Sequence, residues 1–286
     1  MNILSIQSQV SYGHVGNSAA VFAMQRLGAE VWPVNTVAFS NHPGHGGLSG
    51  RVIDSTEIEA LIDGIAKLGV LSRCDAVISG YLGATETGPI VLKAVAKARE
   101  ANPRLLYCCD PVIGDVGPGL YVRKGLPEFM RDEAMPAADM VTPNQFELEY
   151  LSGQRVSTQG EFKSALAYLR ERGPRVALVT SVITAETPPD AIDIAASGGC
   201  EAWLLRTPRL GRDFNGAGDA MAALFLVNML RSGSVPEALA AAAASVFGIL
   251  ERTAAGASRE LLLIEAQDEI VAPSRRFPVE SLGALA

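Results

Sequence analysis

Residues 212–233, RDFNGAGDAMAALFLVNMLRSG, place a nearly bare backbone and one acid directly in front of an almost wholly apolar stretch. Gly216 and Gly218, with Ala217 between them, let consecutive N–H groups point one way, and the helix behind adds its positive end. Such a turn is a preformed anion site. Asp219 in the first turn would compete with an anion unless it faced something else. A substrate hydroxyl fits: the carboxylate would remove or orient its proton while the amides of 216–218 hold the phosphoryl group being transferred. The plainer alternative is a glycine turn with Asp219 favouring the helix dipole. No G-x-x-x-x-G-K-[ST] loop occurs anywhere. The glycines Gly13 and Gly16 after the first predicted strand lack the G-x-G of a dinucleotide fingerprint, which leaves a dinucleotide oxidoreductase a distant reading.

A second constellation lies in CDPVIGD and TPNQFELE. Asp110 and Asp115 flank a turn after one predicted strand, and Glu147 stands on the first turn of a helix after the next. Three carboxylates at neighbouring strand ends suit a hard cation such as Mg²⁺, which takes few carboxylates and completes its shell with water and phosphate oxygens. Taken singly, Asp110 reads as a turn residue before Pro111, and Glu147 as a partner of the helix N-terminus. His14, His42 and His45 all fall on glycine-rich loops without cysteine or another strong ligand, which argues against zinc. Gly44, Gly46 and Gly47 fit a mobile loop over a ligand better.

Positioning these residues requires a sheet. NILSIQS, EVWPVNT, DAVISGYLG, LLYCCDPVIGD, DMVTP, RVALVTS, AIDIAAS and EAWLLRT read as strands. The first four are separated by helical segments and further helices follow DMVTP, which predicts an α/β fold with a mostly parallel sheet covered on both faces. Helices are expected from about Thr56, with Glu59 in capping-box spacing, and after Thr158, with Glu161 likewise. Two alanine-rich helices at about 217–231 and 236–252 are apolar on nearly every side and so internal. Their apolar cores look too short and alanine-rich for a bilayer. In such sheets ligands bind beyond the carboxyl ends of the strands. Ser8, Tyr81, Asp110, Thr142 with Asn144, Thr180 and the 216–219 turn are therefore expected to form one cleft.

Composition agrees with a soluble enzyme-sized domain. With 48% hydrophobic and 19% charged residues, a 286-residue chain buries a core without disulfides or metals. The balance of 24 basic against 31 acidic residues, −7, argues against a nucleic-acid surface. Adjacent Cys108 and Cys109 are expected to alternate faces of a strand and pack; Cys74 and Cys200 complete no C-x-x-C spacing. MNILSIQSQ has no signal-peptide character, so a cytoplasmic protein is expected.

The stretches SIQSQVSYGHVGNSAA, NTVAFSNHPGHG, SGYLG, DPVIGD, TPNQFELE, LVTS and FNGAGDA, in that order over residues 5 to 220, resemble the pyridoxal kinases of the ribokinase-like superfamily. GAGD marks only the superfamily; QSQVSYGHVGNSAA with SNH and SGYLG is more specific to this branch. The resemblance implies a single ribokinase-like domain, a three-layer sandwich over 1–286. It also implies ATP-dependent phosphorylation of the 5′-hydroxymethyl group of pyridoxal, pyridoxine or pyridoxamine. By resemblance Ser8 would hydrogen-bond the pyridine ring, Tyr81 would line its pocket, and Asp219 would be the general base. The anion hole would be Gly216, Ala217 and Gly218. Asp110, Asp115 and Glu147 would handle Mg²⁺ and triphosphate, while Thr142, Asn144, Thr180 and Ser181 take the nucleotide side. Tyr121 falls on the substrate or phosphate side, and a homodimer and an activating monovalent cation, K⁺ or Na⁺, are implied too. Two departures stand out. Pro43, Gly44 and His45 replace the threonine and aromatic residue usual after SNH, so His45 is expected to act as the lid over the ring. Thr180 stands where some bacterial members have lysine. A hydroxymethylpyrimidine kinase and a non-catalytic vitamer-binding protein are the competing readings.

Overall fold

The computed structural model describes residues 1–256 and 258–285. Among the described residues twelve strands are formed: β1 (Asn2–Val10), β2 (Glu30–Phe39), β3 (Gly50–Val52), β4 (Ala76–Ser79), β5 (Leu106–Cys109), β6 (Gly114–Asp115), β7 (Gly119–Leu120), β8 (Met140–Val141), β9 (Val176–Val182), β10 (Ala191–Gly198), β11 (Glu201–Pro208) and β12 (Val279–Ala284). Ten of them make one sheet in the order β12-β11-β10-β9-β8-β5-β4-β1-β2-β3, with β6 and β7 a separate antiparallel pair. The central pairings β2–β1–β4–β5–β8–β9 are parallel. The flanks, β3 at one edge and β10 to β12 at the other, are antiparallel.

Two apolar layers cover the sheet. On one face the Ser55–Lys67, Thr87–Ala101, Gln145–Ser152 and Gln159–Glu171 helices bury Ile58, Val91, Leu148 and Phe162. On the other, the Asn17–Arg26, Ala217–Ser232 and Val235–Ala255 helices bury Met24, Phe225 and Leu239. Cys109 enters the first layer and Cys108 the second, the alternation expected of neighbours on a strand. This is the single-domain three-layer α/β sandwich the sequence predicts.

Local expectations hold with specific exceptions. The Thr158 hydroxyl accepts the Glu161 N–H at 3.2 Å and the Glu161 carboxylate accepts the Thr158 N–H at 3.1 Å, completing the predicted capping box. The helix placed at Thr56 instead begins at Ser55, capped by the Asp54 carboxylate on the Thr56 N–H at 2.8 Å. A carboxylate two residues upstream of that N–H outcompetes the spacing of Thr56 and Glu59. The second alanine-rich helix is longer than expected, 21 residues, and by length and composition alone could cross a membrane. Its Leu239, Ala242, Val246 and Ile249 are packed into the second apolar layer instead.

Candidate active site

The parallel strands align their carboxyl ends. Ile6 pairs with Ser79, Ser79 with Cys109, and Cys109 with Val141. The residues just beyond this row, Ser8, Tyr81, Asp110 and Thr142, therefore line one rim. The Thr142 hydroxyl donates to Asp110 Oδ1 at 2.8 Å, and Asp110 is only 5% exposed. Asn144 bridges to Thr180, whose N–H donates to the Pro143 carbonyl at 3.0 Å. Ser181, next in the chain, holds φ +57°, the one non-glycine residue in the left-handed region among the described residues. Non-glycine backbone in that region is strained, and such strain gathers at functional sites.

The 216–219 turn closes onto the same rim. Gly216 has φ +83°, and a Cβ there would run into the His14 carbonyl oxygen, so only glycine lets the turn lie against the loop after β1. Among the described residues, the N–H groups of Gly216, Ala217 and Gly218 donate to no oxygen of the protein, while the Ala220 N–H donates to the Gly216 carbonyl. Gly16 packs in turn against Ser8, with no room for a side chain.

Charge is concentrated here. Burial raises the Asp110 carboxyl to about 8, helped by the negative charge of Asp219 and opposed by the Thr142 hydrogen bond. Burial also raises half-buried Asp219, but the N–H groups of Gly16 and of Asp219 itself favour its charged form. The charge of Asp219 thus adds to burial in keeping the proton on Asp110. The Tyr121 phenol is pushed up by burial and by Glu147, Asp115, Asp219 and Asp110, so it faces this acidic group. Tyr81, partly buried, is raised by burial and lowered by the nearby Arg123 guanidinium.

Glu147 is committed differently. Its Oε2 accepts the Asn144 N–H at 2.9 Å and its Oε1 the Ile113 N–H at 2.9 Å, while Asn144 caps Glu147 N–H reciprocally at 2.9 Å. That is a capping box that also pins the turn after β5. Its carboxyl is still raised well above normal, by burial first and by Asp110 second. Exposed Asp115 lies farther out, spending one oxygen on the Val116 N–H at 2.7 Å. Among the described residues no three acidic, histidine or cysteine side chains gather as a metal cluster. The three carboxylates read from the sequence are engaged with different partners, Asp110 with Thr142, Glu147 with Asn144 and Ile113, and Asp115 with Val116. Buried Asp110, its carboxyl raised beside Asp219, suits a cation that arrives with phosphate oxygens and takes the place of its proton.

The 40–50 loop sits over the turn. His45 Nε2 lies 2.8 Å from Glu260 Oε1, and its ring meets Tyr12 edge-on at 5.8 Å. Glu260, Asn215 and Arg123 were not singled out by sequence. Asn215 adjoins the GAGD motif and was within reach of it, whereas nothing around Glu260 distinguishes it from its neighbours.

Fold and site together define a small-molecule kinase of the ribokinase-like class. A family model described as phosphomethylpyrimidine kinase matches residues 23–259. The pyridoxal kinase PdxY of Granulibacter bethesdensis is 54% identical over 97% of this chain and 98% of its own length. That of Rubrobacter xylanophilus is 51% identical over 98% and 97%. The pyridoxal kinase of Leishmania donovani, solved in complex with ADP and pyridoxine, superposes with a TM-score of 0.91 at 29% identity over 98% of this chain and 99% of that one. The chain belongs to the pyridoxal kinase family.

Proposed function

We propose that this protein transfers the γ-phosphoryl group of ATP to the 5′-hydroxymethyl group of pyridoxal, giving pyridoxal 5′-phosphate. The observation that carries the reading is the turn whose three N–H groups are unspent among the described residues, with the Asp219 carboxylate directly after it. A donor array for a migrating phosphoryl group and a base for an alcohol are what phosphoryl transfer asks of a protein, because the transition state needs positioning and charge stabilisation more than covalent help. Asp219 takes the acceptor's proton; Gly216, Ala217 and Gly218 hold the phosphoryl oxygens. Ser8 and Tyr81 flank the ring, His45 stands at its open side, and Tyr121 meets the phosphate side. Thr142, Asn144, Thr180 and Ser181 position the nucleotide.

Asp110, with Glu147 behind it and Asp115 farther out, would hold Mg²⁺. That ion supplies neutralisation of triphosphate charge, and an activating K⁺ or Na⁺ would add to it. Pyridoxine and pyridoxamine are further acceptors in this reading, a second copy of the chain is the expected partner, and the cytoplasm is the expected location.

ATP consumption that depends on added pyridoxal tests the proposal, and its absence from pure, folded protein would overturn it. The family description keeps one second reading in view, phosphorylation of a hydroxymethylpyrimidine. Initial rates on that pyrimidine and on pyridoxal separate the two, and faster turnover of the pyrimidine would favour it.

A further inference from the structure

One buried acid near the site has no part in the chemistry above. Glu260 is 5% exposed, yet its carboxylate collects donors from three separate segments. Oε1 accepts Asn215 Nδ2 at 2.7 Å and meets His45 Nε2 at 2.8 Å, while Oε2 accepts the His14 N–H at 3.1 Å. Burial pushes its carboxyl up, but the hydrogen bonds from Asn215, His45 and the His14 N–H outweigh burial and hold it below the usual range. The backbone repeats the contact, since the Asn215 N–H donates to the Arg259 carbonyl at 3.1 Å. Gly13 leaves no space for a side chain beside Oε2. The tip of the 40–50 loop reaches the same point, because a Cβ on Gly44 would lie 3.9 Å from Asn215 Oδ1. Asn215 immediately precedes Gly216.

We propose that Glu260 is a positioning residue that sets the 40–50 loop and the 216–218 turn against each other, so that one carboxylate registers the cover of the acceptor ring with the cradle of the migrating phosphoryl group. The proposal rests on the kinase reading above. Its chemistry is specific: three donors on two oxygens require acceptors on both sides, which an ionised carboxylate offers and an amide does not. In Glu260→Gln the new NH₂ must face either the His14 N–H or the Asn215 and His45 donors. Losing a hydrogen bond to a buried charge is worth roughly tenfold or more in an equilibrium.

The test uses steady-state kinetics of the full-length protein, wild type first. A wild type without pyridoxal-dependent ATP consumption sinks the kinase reading rather than this one. With an active wild type, Glu260→Gln is expected to raise the pyridoxal KM and lower kcat, each by about tenfold, and to leave the ATP KM within about threefold. His45→Ala is expected to raise the pyridoxal KM with little loss of kcat. In the double variant the two KM effects should not multiply, since both variants loosen the same junction around Glu260. Multiplying effects, wild-type constants in Glu260→Gln, or equal damage to both Michaelis constants would overturn the proposal. Should Glu260→Gln not fold, His45→Ala decides by hydrogen exchange: faster exchange of the 213–219 amides supports the coupling, and unchanged exchange there refutes it.

Discussion

At the scale of single residues, the Asp110–Asp219 pair divides labour by environment. Both carboxyls are raised by burial, but Asp110 also bears the charge of Asp219, so the proton resides on Asp110 and the negative charge on the residue beside the anion turn. Asp219→Asn keeps the shape and removes the base. It is expected to fold and bind nucleotide while losing about 10²–10⁴ in kcat; near-normal turnover would remove Asp219 from that role. The pair also predicts a stability profile. The Asp110 carboxyl moves from 3.8 unfolded to about 8 folded, so between those values the native state binds more protons than the unfolded one. Stability from this group is complete below pH 4 and is lost as pH rises through 8, at about 1.4 kcal/mol per pH unit at its steepest. The melting temperature of ligand-free protein should therefore carry a component that falls between pH 5 and 8, and Asp110→Asn should remove it. An identical profile in the variant would place the titration elsewhere.

At the scale of elements, the Gly216–Gly218 turn separates folding from function. Gly216 is left-handed and pressed on the His14 carbonyl, whereas a Cβ on Gly218 would meet nothing within 4 Å. Gly216→Ala should cost on the order of 1–2 kcal/mol in backbone strain alone, more with the clash, and lower the melting temperature measurably. Gly218→Ala should melt with the wild type yet turn over more slowly, because its methyl group intrudes on the space the phosphoryl group needs. Full activity in Gly218→Ala would mean that the group lies elsewhere. The motif was legible because it is local: small residues, an acid and an apolar helix in one run. The central strands and their rim were legible for the same reason, each short apolar run ending in polar residues. What was not legible depends on distance in the chain. Glu260 meets His45 and Asn215 only after the long helix folds back, and β12 pairs with β11 at the sheet edge without a motif to announce it. Glu147, placed by its position near a cation site, also bonds reciprocally with Asn144 and accepts the Ile113 N–H, a capping role that spacing alone does not separate from a ligand role.

At the scale of the whole molecule, the site draws on both apolar layers. The anion turn opens a helix of the second layer, while Asn144 caps a helix of the first and bridges to Thr180 on β9. A nucleotide bound across these elements, as proposed, would tie the two faces of the sheet together and should stabilise the fold as a unit. At one hundred times its dissociation constant it adds about 2.7 kcal/mol, roughly 5 °C in a chain of this size. The field opposes it, however. The protein carries −7 overall, and Asp110, Asp115, Glu147 and Asp219 crowd the rim that a polyanion must approach. Backbone amides at 216–218 offer partial charges only, and Thr180 offers no positive charge where a lysine would. The missing charge has to come with the ligand. Thermal melts with a non-hydrolysable ATP analogue should therefore show the full rise only with Mg²⁺ present, and little rise with the analogue and a chelator. The difference should shrink as pH falls from 8 toward 6, because protonated Asp110 neither repels the triphosphate nor holds the ion. Equal shifts with and without Mg²⁺ across that range would mean that the carboxylates at this rim do not face the nucleotide.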